Sequence, residues 1–512
     1  MRAFKSQGIP FSLTRDPAKA LRHQMIFVYP SISGRLLSRE AIQGLAKHIR
    51  SGGTLLTSDL AGGGLEELFG IRSQVASRER TIIRWTGNGT NPEDRLTRFS
   101  SLRAEVKIGS LGIIPTTTQV LGTFEDGSAA AVCRRVGGLA CIIGVDIGSM
   151  AQRAMNGRSE LFSPDFVNTY NPSMDVAIRW IRDLYIQTED EPYLIGTSPA
   201  GYQGSLVLTH DVDFTRSVRN SVVYADAIRK RGVSASFMIQ TKYVRDWNDD
   251  IFFNDANLPA FKNVMPGMEI GSHSVAHARP FSSFPMGSGD EYYPRYRPFV
   301  KTKTVTSGGT VLGELRVSKF LLEQVLHTDS VRSFRPGHLS YPESLPEALA
   351  ATGYRYSSAL TANSTLSHYP FQLSYARSGQ GLLKAWEFPV TIEDEKLPRL
   401  GDRFDSSVKV IDKIARNGGV AVVLIHPDIT GHKLQFEEKL IDRMKGKMWI
   451  GSLGAFGDWW SARDMADFDY TGGILSIVAP TRLDQVTIYF PKGSVKSRSL
   501  NNLKGVQRVS IR

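Results

Sequence analysis

Apolar segments of strand length alternate with amphipathic helical segments between residues 204 and 447, and several apolar segments run directly into Asp, His or Arg. This alternation is typical of a parallel sheet, either doubly wound or closed into a barrel. In such folds the carboxyl ends of the strands meet at one edge, which is where active sites lie. The polar residues that follow the strands are therefore the first candidates for a functional site.

Two carboxylates follow the strand predicted at 205–209. Asp211 and Asp213 are separated by one residue, so an extended backbone points both side chains to the same side. At this spacing one carboxylate can bind a cation while the other accepts a proton. The alternative is an Asx turn where the chain leaves the strand.

A pair of histidines follows the strand predicted at 268–271. His273 and His277 are four residues apart and can reach one ion if the segment between them coils. With one of the two Asp residues they complete the set with which a catalytic zinc keeps a position open for water. Because the chain has only two cysteines, any metal must be held by His, Asp or Glu.

Two further strand ends carry basic side chains. Arg335 and His338 lie at a predicted strand end in the segment 333–338, and His426 follows the apolar segment at 421–425. Core packing does not readily explain four strand ends with such residues in succession. We therefore expect them to meet at one edge.

These motifs resemble those of the polysaccharide deacetylase family, which is carbohydrate esterase family 4 with its NodB homology domain. The resemblance covers about residues 205–445 and is carried by THDVD (209–213), HSVAH (273–277), FRPGH (334–338), WEFPV (386–390) and LIH (424–426). It implies a distorted (β/α) barrel. It also implies a metal-dependent hydrolase that removes N-acetyl groups from N-acetylhexosamine units of a polysaccharide.

The resemblance further implies a role for each catalytic group. One divalent metal, usually Zn²⁺ with Co²⁺ or Ni²⁺ as alternatives, would polarise the amide carbonyl and lower the pKa of its bound water. Its ligands would be Asp213, His273 and His277. Asp211 would take the proton from the attacking water, Arg335 would keep Asp211 oriented and ionised, and His426 would protonate the leaving amine.

The substrate-binding residues are also implied by the resemblance. A backbone N–H near His338 would help the metal to hold the oxyanion, while Trp386 and Leu424 would line the acetyl pocket. Downstream of the histidine pair, Tyr292, Tyr293, Tyr296 and Phe299 lie in a Gly- and Pro-rich loop. These rings either stack on sugar faces or pack within their own loop, and the sequence leaves both alternatives open.

Residues 1–187 predict a separate α/β domain. A strand at 25–29 precedes a helix with Ser38 as its N-cap, and a second strand follows at 54–58. The segments 29–56 and 137–148 loosely resemble a glutamine-amidotransferase-like domain. That activity needs a Cys nucleophile on a strand-to-helix elbow, which neither Cys133 nor Cys141 provides, so we expect this domain to be non-catalytic.

The two cysteines flank Gly137-Gly138, which predicts a β-hairpin. They could face each other across it, but buried free thiols are the expected state.

After an acidic and then Gly-, Pro- and Ser-rich stretch at 188–203, which predicts a linker, we expect the deacetylase domain at 204–447 and a small β module at 448–512. Strands are predicted in this module at 474–478 and 486–490. The formal net charge is +12, and residues after 481 supply about half of it. We interpret this stretch as a solvated basic tail and expect no nucleic-acid partner, because no nucleic-acid-binding motif accompanies it.

No apolar run approaches the ~18 residues of a membrane span, and the segment 25–29 is too short and too late for a signal peptide. The family's substrates are cell-surface or extracellular polymers, so we expect an extracellular or cell-envelope protein. Gly8-Ile9-Pro10 suggests a chain that joins a sheet already begun, and hence part of a longer exported protein.

Two alternative functions remain. One is a non-catalytic polysaccharide-binding or export scaffold that retains the fold, and the other is an amidohydrolase acting on a small non-sugar amide.

Overall fold

The computed structural model of this chain describes residues 2–60, 62–87, 95–100, 107–157, 166–170, 174–247, 250–327, 331–362 and 367–511. The first region contains α1 (Arg2–Ser6), α2 (Pro17–Ala20), β1 (Met25–Val28), α3 (Arg39–Arg50), β2 (Thr54–Thr57), α4 (Glu66–Phe69), β3 (Ile71–Ser77), β4 (Ile82–Trp85), β5 (Leu96–Arg98), β6 (Ser110–Pro115), β7 (Gln119–Thr123), β8 (Ala129–Val136), β9 (Gly138–Ile143), α5 (Ile147–Ala154) and α6 (Met174–Thr188). Its nine described strands form one sheet, with β1, β2 and β9 parallel and the others antiparallel.

The helix predicted after Ser38 is present. The Ser38 hydroxyl accepts a hydrogen bond from the Ala41 backbone N–H and caps α3, which ends before Gly52. The mixed α/β character of this region therefore agrees with the sequence pattern, while its likeness to amidotransferases stays a prediction.

Cys133 and Cys141 form a disulfide, so the expectation of two free thiols is wrong. They lie on β8 and β9, which turn at Gly137 and confirm the predicted hairpin. Cys133 pairs directly with Cys141 in the antiparallel register, with their Cα atoms 4.2 Å apart. Directly opposed residues hold their side chains close together, and this brings the two sulfur atoms into bonding contact.

The central region contains β10 (Leu194–Ile195), β11 (Ser205–Val212), α7 (Thr215–Lys230), β12 (Ser236–Ile239), α8 (Leu258–Val264), β13 (Glu269–Ser272), β14 (Phe299–Thr302), β15 (Val305–Ser307), α9 (Val311–Leu326), β16 (Ser333–Phe334), α10 (Leu345–Ala351), β17 (Tyr356–Ser357), β18 (Phe371–Ser374), β19 (Leu382–Glu387), β20 (Val390–Ile392), α11 (Phe404–Arg416), β21 (Val420–Ile425), α12 (His432–Met444), β22 (Trp449–Gly451) and α13 (Leu453–Met465). Ten of these strands form a sheet in the order β18-β19-β17-β16-β13-β12-β11-β21-β20, with β22 also paired to β11. Val390 on the end strand β20 bridges back to Thr361, just beyond β17, so the sheet curls round on itself. The result is a mixed α/β fold with a curled, mostly parallel sheet.

The register of the curled sheet aligns the ends of its central strands. His210 on β11 pairs with Ile425 on β21, and Val212 pairs with Ile239 on β12. Farther along, Ile239 pairs with Ser272 on β13, which in turn pairs with Phe334 on β16. The residues that follow these four strands therefore emerge at one edge, which we call the functional edge.

Apolar side chains pack on both faces of the sheet beneath this edge. Val207 packs in a buried cluster with Tyr356, Trp386 and Trp460, the last of which comes from α13. The neighbouring Leu206 and Leu208 point the other way, into the large core that includes the covering helices. The strands that end at the functional edge are therefore packed on both faces.

The last elements are β23 (Asp467–Thr471), β24 (Ile474–Leu483), β25 (Val486–Tyr489), β26 (Ser497–Leu500) and β27 (Leu503–Ser510). They form two small sheets, β23-β24-β27 and β10-β25-β26. Strands β24 and β25 agree with the two strands predicted from alternation. The basic side chains Lys504 and Arg508 are exposed on the paired strand β27 rather than in a tail.

Two elements lie across the predicted domain boundaries. Strand β10 falls within the predicted linker and pairs with β25, and β22 falls within the predicted C-terminal module but pairs with β11. The boundaries themselves stay predictions. Among the described helices, none is both long and apolar enough to cross a membrane.

Candidate active site

The two predicted carboxylates lie at the end of β11, in the middle of the functional edge. Asp211 and Asp213 are almost fully buried, with 3% and 8% of their surface exposed. On one side His426 follows β21, and on the other side His273 follows β13. The structure thus brings together the residues that the strand-end pattern predicts to meet.

Asp213, His273 and His277 form a group that could hold a metal ion, and we call these three residues the metal group. One ligand atom of each lies within 4.8 Å of the others. The shortest measured approach is 3.6 Å, between Asp213 Oδ2 and His277 Nε2. The backbone coils between the histidines because Ser274 and His277 both adopt left-handed conformations, with φ of 67° and 53°. This coil brings the second histidine back towards the first.

Two atoms of this group are buried without a hydrogen-bond partner, namely Asp213 Oδ1 and His273 Nε2. His273 Nδ1 lies 2.9 Å from the Arg335 carbonyl oxygen and donates its proton there, so Nε2 carries a lone pair. Burial lowers the pKa of both histidines and raises the pKa of Asp213 to about 7. Unpartnered N and O donors and neutral imidazoles fit a divalent metal, whose charge would stabilise the Asp213 carboxylate.

Glu314 on α9 supports the histidine segment and was not predicted. Its Oε2 accepts hydrogen bonds from the backbone N–H groups of Val275 and Ala276 at 2.7 and 2.8 Å, and its Oε1 accepts one from the Tyr296 hydroxyl at 2.8 Å. The carboxyl is fully buried, so these bonds replace its hydration and fix the coil that carries His277. No strand-end or motif signal in the sequence points to this residue.

Because of these bonds, we expect Glu314→Ala to weaken metal binding about 10–100-fold, the usual effect of losing a partner that orients metal ligands. Metal titration of the apo-protein measures this effect. Glu323→Ala, on the same helix but bonded to Val331 instead, serves as the control. Equal metal affinity in both variants would show that the coil does not depend on Glu314.

Arg335 lies under Asp211 and is completely buried. Its Nη1 is 2.8 Å from Asp211 Oδ1, while Nε and Nη2 donate to the carbonyl and hydroxyl of Ser358. Burial alone would raise the pKa of Asp211, but the guanidinium and His273 hold it below its usual range. Asp211 is therefore an oriented, ionised carboxylate beside the metal group.

His426 is held by a carboxylate that sequence reasoning missed. Asp394 accepts hydrogen bonds from His426 Nδ1 through Oδ1 and from the His426 backbone N–H through Oδ2, both at 2.8 Å, and Lys433 Nζ lies 2.6 Å from Oδ2. Burial alone would lower the pKa of His426, but Asp394 raises it to about 10. The Nε2 proton then faces Asp213, 3.9 Å away. Asp394 follows strand β20, so the strand-end pattern could have found it.

The structure brings two of the three predicted substrate-binding residues to this group. His338 is exposed, with its ring centroid 4.5 Å from that of His277, and Leu424 is buried two residues before His426. Trp386 is not brought there. It pairs with Tyr356 in the register, two residues short of the functional edge, and packs in the apolar cluster beneath it.

The aromatic residues of the long loop divide into two groups. Tyr296 is 6% exposed and donates to Glu314, so it packs within the protein. Tyr292, Tyr293 and Phe299 are 47%, 43% and 41% exposed. Of the four loop rings, these three are exposed enough to meet a ligand.

No family model and no curated protein matches this sequence. Solved structures do match about half of the chain. A Mycobacterium smegmatis protein described as a polysaccharide deacetylase is 14% identical over 54% of this chain and 98% of its own, with a TM-score of 0.40. The similar structures are those of carbohydrate esterase family 4.

Two further similar structures are described as an esterase and as a pseudoenzyme. A family 4 esterase from Streptococcus mutans is 17% identical over 49% of this chain and 86% of its own, with a TM-score of 0.30. A family 4 pseudoenzyme from Bacillus anthracis is 14% identical over 50% of this chain and 65% of its own, with a TM-score of 0.28.

Proposed function

We propose that this chain is a metal-dependent hydrolase that removes N-acetyl groups from N-acetylhexosamine units of a polysaccharide. The observation that carries the proposal is the meeting of three groups at one edge: the Asp213, His273 and His277 cluster, the Asp211–Arg335 pair and the His426–Asp394 pair. A non-catalytic scaffold would have no need for an oriented base and an oriented acid on either side of unpartnered metal ligands.

The chemistry follows from these contacts. A divalent metal, when bound by Asp213, His273 and His277, supplies positive charge that polarises the amide carbonyl and acidifies water. Asp211, kept ionised by Arg335, takes a proton from the attacking water. His426, kept protonated by Asp394, donates its Nε2 proton to the departing amine. A backbone N–H near His338 would share the charge of the oxyanion.

Two further features support a polymer substrate outside the cytoplasm. Exposed rings such as Tyr292 and Tyr293, in the loop after the metal group, present flat apolar faces on which sugars stack. The Cys133–Cys141 disulfide is of a kind that persists in oxidising compartments. Both agree with an extracellular or cell-envelope protein acting on a glycan.

The proposal is tested by acetate release from a panel of N-acetylated hexosamine oligomers of increasing length, with the Zn²⁺-loaded protein. We expect release that rises with chain length, ceases on chelation and is absent in His273→Ala, whose bound metal is measured on the same sample. Hydrolysis of small amides but of no sugar would instead identify a different amidohydrolase. No turnover with metal bound would favour the non-catalytic scaffold.

A further inference from the structure

A short piece of the N-terminal region reaches the functional edge. Val167, in the described stretch 166–170, is 2% exposed and belongs to a small buried cluster with Val390 and Leu424. Half-buried Leu339 packs against the same cluster. Leu424 lies two residues before His426 on the same side of β21, and Leu339 follows His338. The cluster is thus a buried apolar layer beside the proposed proton donor.

Asn168 fixes this piece of chain in place. Its backbone N–H donates to the Thr391 carbonyl at 2.7 Å. Its side-chain amide donates to Glu393 Oε1, and its Oδ1 accepts from the Glu393 backbone N–H at 3.0 Å. Because Glu393 precedes Asp394, the segment is tied to the same loop that holds His426.

The backbone conformation of Asn168 and the contacts of Tyr170 also hold this segment in place. Asn168 has φ of 59°, a left-handed conformation that asparagine adopts more readily than most residues. Two residues later, the Tyr170 ring stacks on His368 with centroids 5.5 Å apart, and its hydroxyl accepts a hydrogen bond from the Asn417 amide at 2.8 Å. These contacts, which flank Val167, hold its side chain against the curled sheet.

We propose that Val167 forms a wall of the acyl pocket, together with Leu424 and Val390, and so restricts the enzyme to short acyl groups such as acetyl. This inference rests on the proposed hydrolysis of an N-acyl group. In that reaction the amide nitrogen faces His426 and the oxygen faces the metal group, so the alkyl group turns to the remaining side. A methyl group fits against a valine wall, whereas a longer chain needs the volume that the isopropyl group of Val167 occupies.

The test compares acyl preference in wild type and Val167→Ala, using one amino-sugar oligomer carrying N-acetyl, N-propionyl or N-butyryl groups. We expect the ratio of kcat/KM for propionyl over acetyl to rise at least about tenfold, because one methylene in an apolar pocket is discriminated by that much. Val132→Ala is the matched control, since Val132 is equally buried but belongs to a separate core cluster of the N-terminal region. Its ratio should remain that of wild type.

A second variant covers the case in which Val167→Ala does not fold. Val167→Leu should narrow the pocket, so that acetyl is lost while N-formyl substrate is retained. Binding of acetate, propionate and butyrate to the Zn²⁺-loaded protein, measured by calorimetry, reports pocket size without turnover. An unchanged acyl preference and unchanged carboxylate series in the folded variants would overturn the inference. Absence of turnover in wild type, with a carboxylate series that still shifts in Val167→Ala, would overturn the proposed hydrolase and leave the pocket wall supported.

Discussion

Asp211→Asn should keep its metal and lose about 10²–10⁴-fold in kcat, the usual contribution of a positioned proton-transfer group. The Asp211 carboxylate is buried against Arg335 at 2.8 Å, and its pKa is held below the usual range, so it is ionised and able to accept a proton. The asparagine amide keeps the shape and can still accept a hydrogen bond from Arg335, but it cannot take a proton from water. Acetate release and bound metal are measured on the same preparation.

The matched control is Asp213→Asn, which changes the neighbouring carboxylate by the same one-atom substitution. We expect this variant to lose both metal and activity, because Asp213 Oδ2 faces His277 Nε2 within the metal group. Loss of metal in Asp211→Asn together with its retention in Asp213→Asn would mean that the two roles are exchanged. Near-normal turnover in Asp211→Asn would place the base elsewhere.

Asp394→Asn should move the alkaline limb of the pH profile of kcat/KM to lower pH. As a proton donor, His426 is active below its pKa, and activity falls as pH rises through that pKa. Asp394 raises the pKa of His426 to about 10, and without its charge the burial of the ring lowers that pKa. Above the lowered pKa of His426, each unit by which that pKa has fallen reduces kcat/KM about tenfold relative to wild type.

Asp428→Asn is the control for this experiment. Asp428 contacts Lys433 at 2.6 Å, as Asp394 does, but makes no described hydrogen bond to the His426 ring. Its alkaline limb should stay near that of wild type. If Asp394→Asn lowers activity equally at every pH, Asp394 holds the loop without tuning His426, and the proton donor has to be sought elsewhere.

The strand-end pattern predicted much of this site because parallel strands in register end together. Asp211 and His426 lie side by side since His210 pairs with Ile425, a pairing that any in-register parallel sheet of these strands produces. The alternation of apolar and polar residues therefore carries real information about which side chains meet at the functional edge. It carries none about how far each side chain lies from that edge. Trp386, whose place in an acetyl pocket was expected from the family resemblance, lies in the apolar cluster beneath the functional edge.

The residues that sequence reasoning missed act through loops and helices. Glu314 lies on a helix and reaches the backbone of Val275 and Ala276, and Asp394 reaches His426 across neighbouring strand ends. Glu314 has no signature of this kind, because its role depends on which loop packs beside its helix, whereas Asp394 follows β20 and could have been found from the strand-end pattern. The importance of both carboxylates follows from burial, which makes a charged group depend on the few donors that surround it.

The sequence by itself determined the alternating α/β pattern, the hairpin around Gly137, and the identity and order of the acidic, imidazole and guanidinium groups at the strand ends. The helices, strands and hairpin follow from local conformational preferences. The side of the sheet on which each residue lies follows from the two-residue period of a strand. Only the tertiary structure decided that Cys133 and Cys141 bond, that Asp394 and Glu314 hold His426 and the segment before His277, and that Val167 packs beside Leu424. Apart from the disulfide, whose cysteines are 8 residues apart, those contacts join residues distant in the chain. Close packing of the whole molecule selects them, and no local pattern encodes it.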